Sequence, residues 1–165
     1  MVAALLWLSL ALIAYAHVGY PLVLRVLLAL RRRPTLEPGT WDELPSVSLI
    51  VAAYDEEEVI EAKVANALAL DYPRKQFELI VASDGSTDAT AELARAAGAD
   101  IVLELPRGGK IAAQNAAAER ASGEILAFSD ANSEWRRDAL GHLVEPFADP
   151  AIGYACGQVS FLDAA

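Results

Sequence analysis

Phe77-Glu78-Leu79-Ile80-Val81-Ala82 runs straight into Ser83-Asp84-Gly85-Ser86-Thr87-Asp88, and Ile125-Leu126-Ala127-Phe128 runs into Ser129-Asp130-Ala131-Asn132. Short apolar runs rich in β-branched and aromatic residues that stop at Asp, Gly and Ser read as buried strands ending in functional loops. In an open α/β sheet, ligands sit just outside the carboxyl ends of the strands. Carboxylates delivered to that edge suit a nucleotide, a metal ion, or both.

The neighbouring segments alternate in the same way. Val47-Ser48-Leu49-Ile50-Val51-Ala52-Ala53 is the first strand, and Ile60, Val64, Ala67 and Leu68 then fall on one helical face that Asp71-Tyr72-Pro73 ends. Ser86 or Thr87 is expected to cap a helix that has Asp88 in its first turn and Gly98 at its end. Ile101-Val102-Leu103 is a short third strand. Arg107-Gly108-Gly109-Lys110 opens an alanine-rich helix that reaches Ala121, and after the fourth strand a helix is expected from Trp135 to about Phe147. Ile152 to Phe161 has the pattern of a further strand. Strands alternating with helices predict an α/β fold, with a mostly parallel sheet covered on both faces.

The chain has 165 residues, 55% of them hydrophobic, which suits one ordinary domain plus a greasier segment. Val2 to Ala16 has no charged residue, and the apolar character continues through Leu28. A bilayer core of about 30 Å needs about 20 such residues, so residues 1–30 are expected to be a transmembrane anchor. Ala14-Tyr15-Ala16 resembles a signal-peptide cleavage site, but no basic stretch precedes it and the apolar pattern continues past it. Arg31-Arg32-Arg33 follows the span directly. By the positive-inside rule, that places the rest of the chain on the cytoplasmic face, with the arginines beside anionic membrane lipid. Residues 31–46 read as a basic, proline-containing linker and residues 47–165 as the folded domain.

A formal net charge of −10 excludes a nucleic-acid partner, since no basic stripe is present to match phosphates. Cys156 is the single cysteine, so neither an internal disulfide nor a cysteine zinc site is available. The first turn, Ala53-Tyr54-Asp55-Glu56-Glu57-Glu58, is acidic where a dinucleotide fold needs glycines, which excludes an NAD-type site. Arg107-Gly108-Gly109-Lys110 is not a phosphate loop, because Ile111 stands where a magnesium-binding Ser or Thr belongs. A lysine at a Gly-Gly helix start still suits an anion. Asp84 precedes the expected cap and so is free to accept a hydrogen bond from a nucleobase imide. Asp130 and Asn132, two positions apart, offer hard oxygen ligands to Mg²⁺ or Mn²⁺ bridging a diphosphate.

Taken in order, these residues resemble a family 2 glycosyltransferase of the GT-A type. Ala53-Tyr54-Asp55-Glu56-Glu57 is similar to the family's P-A-Y-N-E-E turn, and Ser83-Asp84-Gly85-Ser86-Thr87-Asp88 to its D-D-G-S-T-D. Gly109-Lys110 with Gln114-Asn115 is similar to G-K-x-x-A-L-N, and Gly123-Glu124 through Asn132 to G-E-…-D-A-D. Asp71-Tyr72-Pro73 resembles the membrane-bound branch that makes cell-surface polysaccharides. The resemblance implies a Rossmann-like sheet and a nucleotide-diphosphate sugar donor, with UDP as the expected carrier. It further implies nucleotide contacts at Ala53, Tyr54, Glu56, Asp84, Lys110 and Asp130, and metal contacts at Asp130 and Asn132. Asn132 departs from the family's last Asp, and a neutral amide is the weaker ligand for a hard cation.

The implied reaction is inverting transfer of a hexosyl-type sugar to a glycan or lipid-linked acceptor. It needs a base to deprotonate the acceptor hydroxyl. No catalytic residue is identifiable in the chain, and the family's E-D base and Q-x-x-R-W motif are expected beyond Ala165. The chain therefore reads as the anchor and donor half, incomplete and by itself inactive. The alternative is a nucleotide-sugar-binding membrane protein that does no chemistry.

Overall fold

The computed structural model describes residues 2–30, 41 and 43–160, and its first helical stretches are Val2–Ala14 (α1) and Tyr20–Leu30 (α2). Val47–Ala53 (β1) is the central strand, and its burial on both faces explains a run with almost no polar interruption. It pairs in parallel with Phe77–Asp84 (β2) on one side and Ile125–Asp130 (β4) on the other, and Ile101–Leu105 (β3) lies outside β2, giving the order β3-β2-β1-β4. Alternation along β1 sends Val47, Leu49 and Val51 to one face and Ile50 to the other. The first face packs on Ile60–Leu68 (α3), Thr90–Ala96 (α4) and Ala139–Val144 (α6) through Ile60, Val64, Ala94, Leu140 and Val144. The second packs on Lys110–Ala118 (α5) through Ala113 and Ala117, small residues that let this helix lie close to Ile50 and Ile80.

Up to β3 the strands are added to one side of β1. Helix α5 then carries the chain across to the other side, so the winding reverses between β1 and β4. A crevice opens at such a reversal, above the strand ends. The crossing is fastened at its far end. Ser48, fully buried in β1, donates to Glu78 at 2.7 Å and accepts from the Gly123 amide at 2.8 Å. Glu78 also accepts from the Ser122 hydroxyl at 2.8 Å. A Cβ on Gly123 would lie 2.4 Å from the Ser48 nitrogen, so only glycine lets the chain enter β4 this close to β1.

The expected alternation is present, with three corrections. The helix after β2 begins at Thr90, whose amide donates to Asp88 at 3.0 Å, and neither Ser86 nor Thr87 caps it: the Ser86 hydroxyl accepts from the Asp55 amide at 3.2 Å, and the Thr87 amide donates to Asp55 at 2.8 Å. The helix expected from Trp135 begins only at Ala139. Asn66 instead holds both backbone groups of Trp135, at 2.8 and 2.9 Å, and so pins this residue to α3 ahead of the helix. Residues 152–160 form no strand; they find no neighbour to ladder with among the described residues, and apolar patterning alone does not hold a strand.

The chain divides into two compact units, Met1–Glu37 and Pro38–Ala165. In the first, Val2–Leu30 is one helix of 29 residues, long and apolar enough to cross a membrane. At 1.5 Å per residue it extends roughly 43 Å. Tyr15–Gly19 forms a π turn inside it, with the His17 ring donating to the Ile13 carbonyl at 3.0 Å. Of the expected linker, Arg31 to Thr40 and Asp42 lie outside the described residues.

The Glu78 fastening has a pH signature. Burial would push this carboxyl up, but hydrogen bonds from Ser48 and Ser122 outweigh it and hold the group below the ordinary glutamate value. Its contribution is therefore complete above the unfolded-state value and is lost as pH falls through the lower folded one. Urea midpoints measured from pH 7 to pH 3 should fall more steeply for wild type than for Glu78→Gln, and parallel slopes would remove Glu78 from this role.

Candidate donor site at the strand ends

Asp84 and Asp130 are the last residues of β2 and β4, so the sheet itself delivers them to one edge. There a cleft of about 280 Å³ is lined by Ala53, Tyr54 and Glu56 after β1, by Asp84, Arg107 and Lys110, and by Asp130 and Asn132. Every residue singled out from the sequence for nucleotide or metal binding thus borders a single opening at the winding reversal.

The β1 turn is held in shape by its own acids. Asp55 sits at φ 50°, a left-handed conformation that Asp and Asn tolerate best among residues with a side chain. The Glu56 amide donates to Thr90 at 2.8 Å, the Glu57 amide to Asp88 at 3.1 Å, and the Ala89 amide back to Glu57 at 3.1 Å. Asp55, Glu57 and Asp88 therefore clasp the loop after β1 to the loop after β2. That leaves Tyr54 and Glu56 to face the cleft.

Asp84 is 2% exposed, and its carboxylate organises the far wall. One oxygen accepts from the amides of Gly108 at 2.7 Å and Gly109 at 3.0 Å; the other accepts from Gly109 at 2.9 Å and from Arg107 Nη1 at 2.6 Å. These four contacts match the roughly four acceptor sites of a carboxylate. The Arg107 guanidinium also lies 3.4 Å from the Tyr54 ring centroid, a cation–π stack that bridges the cleft. Lys110, from the same turn, pairs with Asp130, both side chains being half-exposed. A single turn thus supplies one cation to each strand-end carboxylate. Gly85 permits the arrangement: at φ 69°, its Cβ position would lie 2.8 Å from the Arg107 nitrogen.

Behind Asp130, the ammonium of Lys63 donates to the Ser129 hydroxyl at 2.7 Å and to the Ser133 carbonyl at 2.7 Å. Its burial lowers the pKa to about 8, against opposing effects from Asp130 and Glu134. Arg107 and Lys63 were not assigned from the sequence. Arg107 stands next to the Gly-Gly-Lys turn, so position alone marked it, whereas Lys63 looks like any solvated helix charge until its surroundings are known.

Residues 48–163 match the model of the family "Glycosyl transferase family 2". The chain belongs to this family. It is 32% identical over 123 residues to glycosyltransferase AglE of Haloferax volcanii, covering 72% of this chain and 40% of that protein. It is 35% identical over 122 residues to the poly-beta-1,6-N-acetyl-D-glucosamine synthase of Staphylococcus aureus, covering 71% and 29% of the two. Among solved structures, it is similar to the mannosyltransferase PcManGT from Pyrobaculum calidifontis in complex with GDP-Man and Mn²⁺. That match has a TM-score of 0.75 at 35% identity and covers 88% of this chain and 44% of that one. The parallel sheet with helices on both faces is accordingly the GT-A fold. The chain spans two fifths or less of the length of these two curated relatives.

Among the described residues no cluster of three His, Cys, Asp or Glu side chains forms a cation cage. Asp130 and Asn132 bring one carboxylate and one amide to the cleft wall. This donor set fits a divalent ion that completes its shell with phosphate oxygens and water.

The turn bearing Arg107 and Lys110 depends on Gly85 and Asp84. Gly85→Ala should cost about 2 kcal/mol in urea unfolding, the scale of forcing a side chain into left-handed backbone. Asp84→Ala should speed hydrogen exchange at Gly108 and Gly109 while leaving β1 protected. Unchanged exchange at both amides would mean that Asp84 does not hold the turn.

Proposed function

We propose that the cleft binds a nucleotide-diphosphate sugar, with UDP as the favoured carrier. In this reading the chain is the donor half of an inverting glycosyltransferase that passes a hexosyl-type sugar to a glycan or lipid-linked acceptor. The observation that carries the proposal is the pairing of both strand-end carboxylates with cations from one turn, Asp84 with Arg107 and Asp130 with Lys110. Such a turn is already balanced against negative charge and can exchange a carboxylate for a diphosphate. Val2–Leu30 serves as the membrane anchor, and the arginines at 31–33 favour a cytoplasmic domain.

Each residue then has a role that follows from its surroundings. The Tyr54 ring offers a face for the base beside Ala53, and Glu56 borders the same opening. A base N–H that reaches Asp84 must replace one of the donors already on that carboxylate. Arg107 is the one able to leave, because its side chain is half-exposed whereas Gly108 and Gly109 are backbone. Lys110 transfers its ammonium from Asp130 to a diphosphate oxygen, which frees Asp130. Asp130 and Asn132 would then hold Mg²⁺ or Mn²⁺, an ion that neutralises charge developing on the leaving diphosphate.

Calorimetry on the full chain in detergent micelles, with UDP and separately with GDP in the presence of Mn²⁺, tests this reading. Binding of one nucleotide is expected, weakened by Tyr54→Ala and by Asp130→Ala. A folded chain that binds neither would overturn it. Replacing the amide by a charged ligand, Asn132→Asp, should tighten Mn²⁺ by about tenfold in the nucleotide complex, since affinity for hard cations follows ligand charge. Nucleotide affinity without metal should not rise, because the added carboxylate repels a diphosphate, and equal Mn²⁺ affinity would remove position 132 from the ion.

A further inference from the structure

Lys63 is 3% exposed on α3, on the side of the sheet otherwise packed with Ile60, Val64 and Leu140. Lysine is almost never buried this far unless paired, because desolvating its charge is costly. Its partners lie at the end of β4 and in the loop that follows it. The ammonium donates to Ser129 Oγ and the Ser133 carbonyl, each at 2.7 Å, and more weakly to Ser133 Oγ at 3.4 Å. Ser129 and Ser133 flank Asp130 and Asn132, their hydroxyls lie 2.9 Å apart, and Ser133 Oγ donates to the Asp130 carbonyl at 2.9 Å. One turn further along α3, Asn66 holds both backbone groups of Trp135, and the ammonium lies 5.5 Å from the Trp135 ring centroid. The segment from 129 to 135, the end of β4 and the loop after it, is thus tied to a single helix face at both of its ends.

We propose that Lys63 is a positioning residue: it sets the backbone on which Asp130 and Asn132 are presented to the metal-bound diphosphate, while touching neither ligand nor ion itself. The proposal rests on the donor-site reading above. Asp130 and Asn132 are too few to enclose an ion, so their separation and direction must be set by the loop. Groups that orient metal ligands from behind govern affinity nearly as strongly as the ligands do.

Lys63→Met keeps the length of the side chain as far as Cε and removes the ammonium, and the two serine hydroxyls remain able to pair with each other. Mn²⁺ binding to the full chain in detergent micelles, read by electron paramagnetic resonance with saturating UDP or GDP, should weaken by about tenfold. Nucleotide affinity without metal should fall by less than the Mn²⁺ affinity does, and hydrogen exchange should accelerate over residues 129–135 only. The sign is diagnostic. Removing a cation close to Asp130 would by charge alone tighten Mn²⁺, so weakening reports the tether. Equal or tighter Mn²⁺ binding by the folded variant overturns the role of Lys63, as does exchange that accelerates throughout the sheet. If Lys63→Met does not fold, Lys63→Met with Ser129→Ala removes donor and acceptor together and carries the same comparison. A wild-type chain that binds neither nucleotide nor Mn²⁺ overturns the donor-site reading itself, and the proposal with it.

Discussion

The in-register parallel pairing of β1 with both β2 and β4 is the constraint from which the rest of the molecule follows. Ala52 lies opposite Ala82 on one side and Asp130 on the other, so the strand ends finish nearly level. Burial on both faces secures that register, because slipping β1 by one residue would exchange the side chains facing α3 for those facing α5. The two cores are unequal in kind: branched residues and α3 on one face, alanines of α5 on the other. The small-residue face lets the crossing helix lie flat and return the chain to the far side of β1. The crevice is where it is because of that return.

Charge in the cleft is arranged by the same geometry. An acidic chain would not be expected to attract a diphosphate, and the carboxylates at the strand ends would by themselves repel one. Arg107 and Lys110 oppose that repulsion by sitting on a turn that faces both β2 and β4. Two of the four acids of the first turn, Asp55 and Glu57, are engaged in joining two loops, and Glu56 is the acid of that turn that borders the opening.

Much of this is legible in the residues themselves. Val47–Ala53 and the start of β2 at Phe77 are unambiguous, since a strand buried on both faces writes a continuous apolar run bounded by polar residues. The acidic stops after those runs mark the site because strands end where the chain must meet water. The start of α6 is not legible, because a side chain from α3 captures Trp135, and no local pattern announces a contact 69 residues away. Ser86 and Thr87 look like caps for the same reason: their composition fits a helix start, while their hydrogen bonds go to Asp55.

From the sequence alone came the alternation of strands and helices, the apolar N-terminal span, and the set of residues that would gather at one edge. All of these depend on local periodicity and on residue type at chain breaks. The tertiary structure alone decided that the strands lie in the order β3-β2-β1-β4, that Asp84 is saturated by the Arg107 turn, and that Lys63 is a buried tether rather than a surface charge. The physical reason is one of range. Periodicity reports which face of an element is buried, whereas the partner of a buried charge is chosen by which elements pack together, and that information is spread over the whole chain.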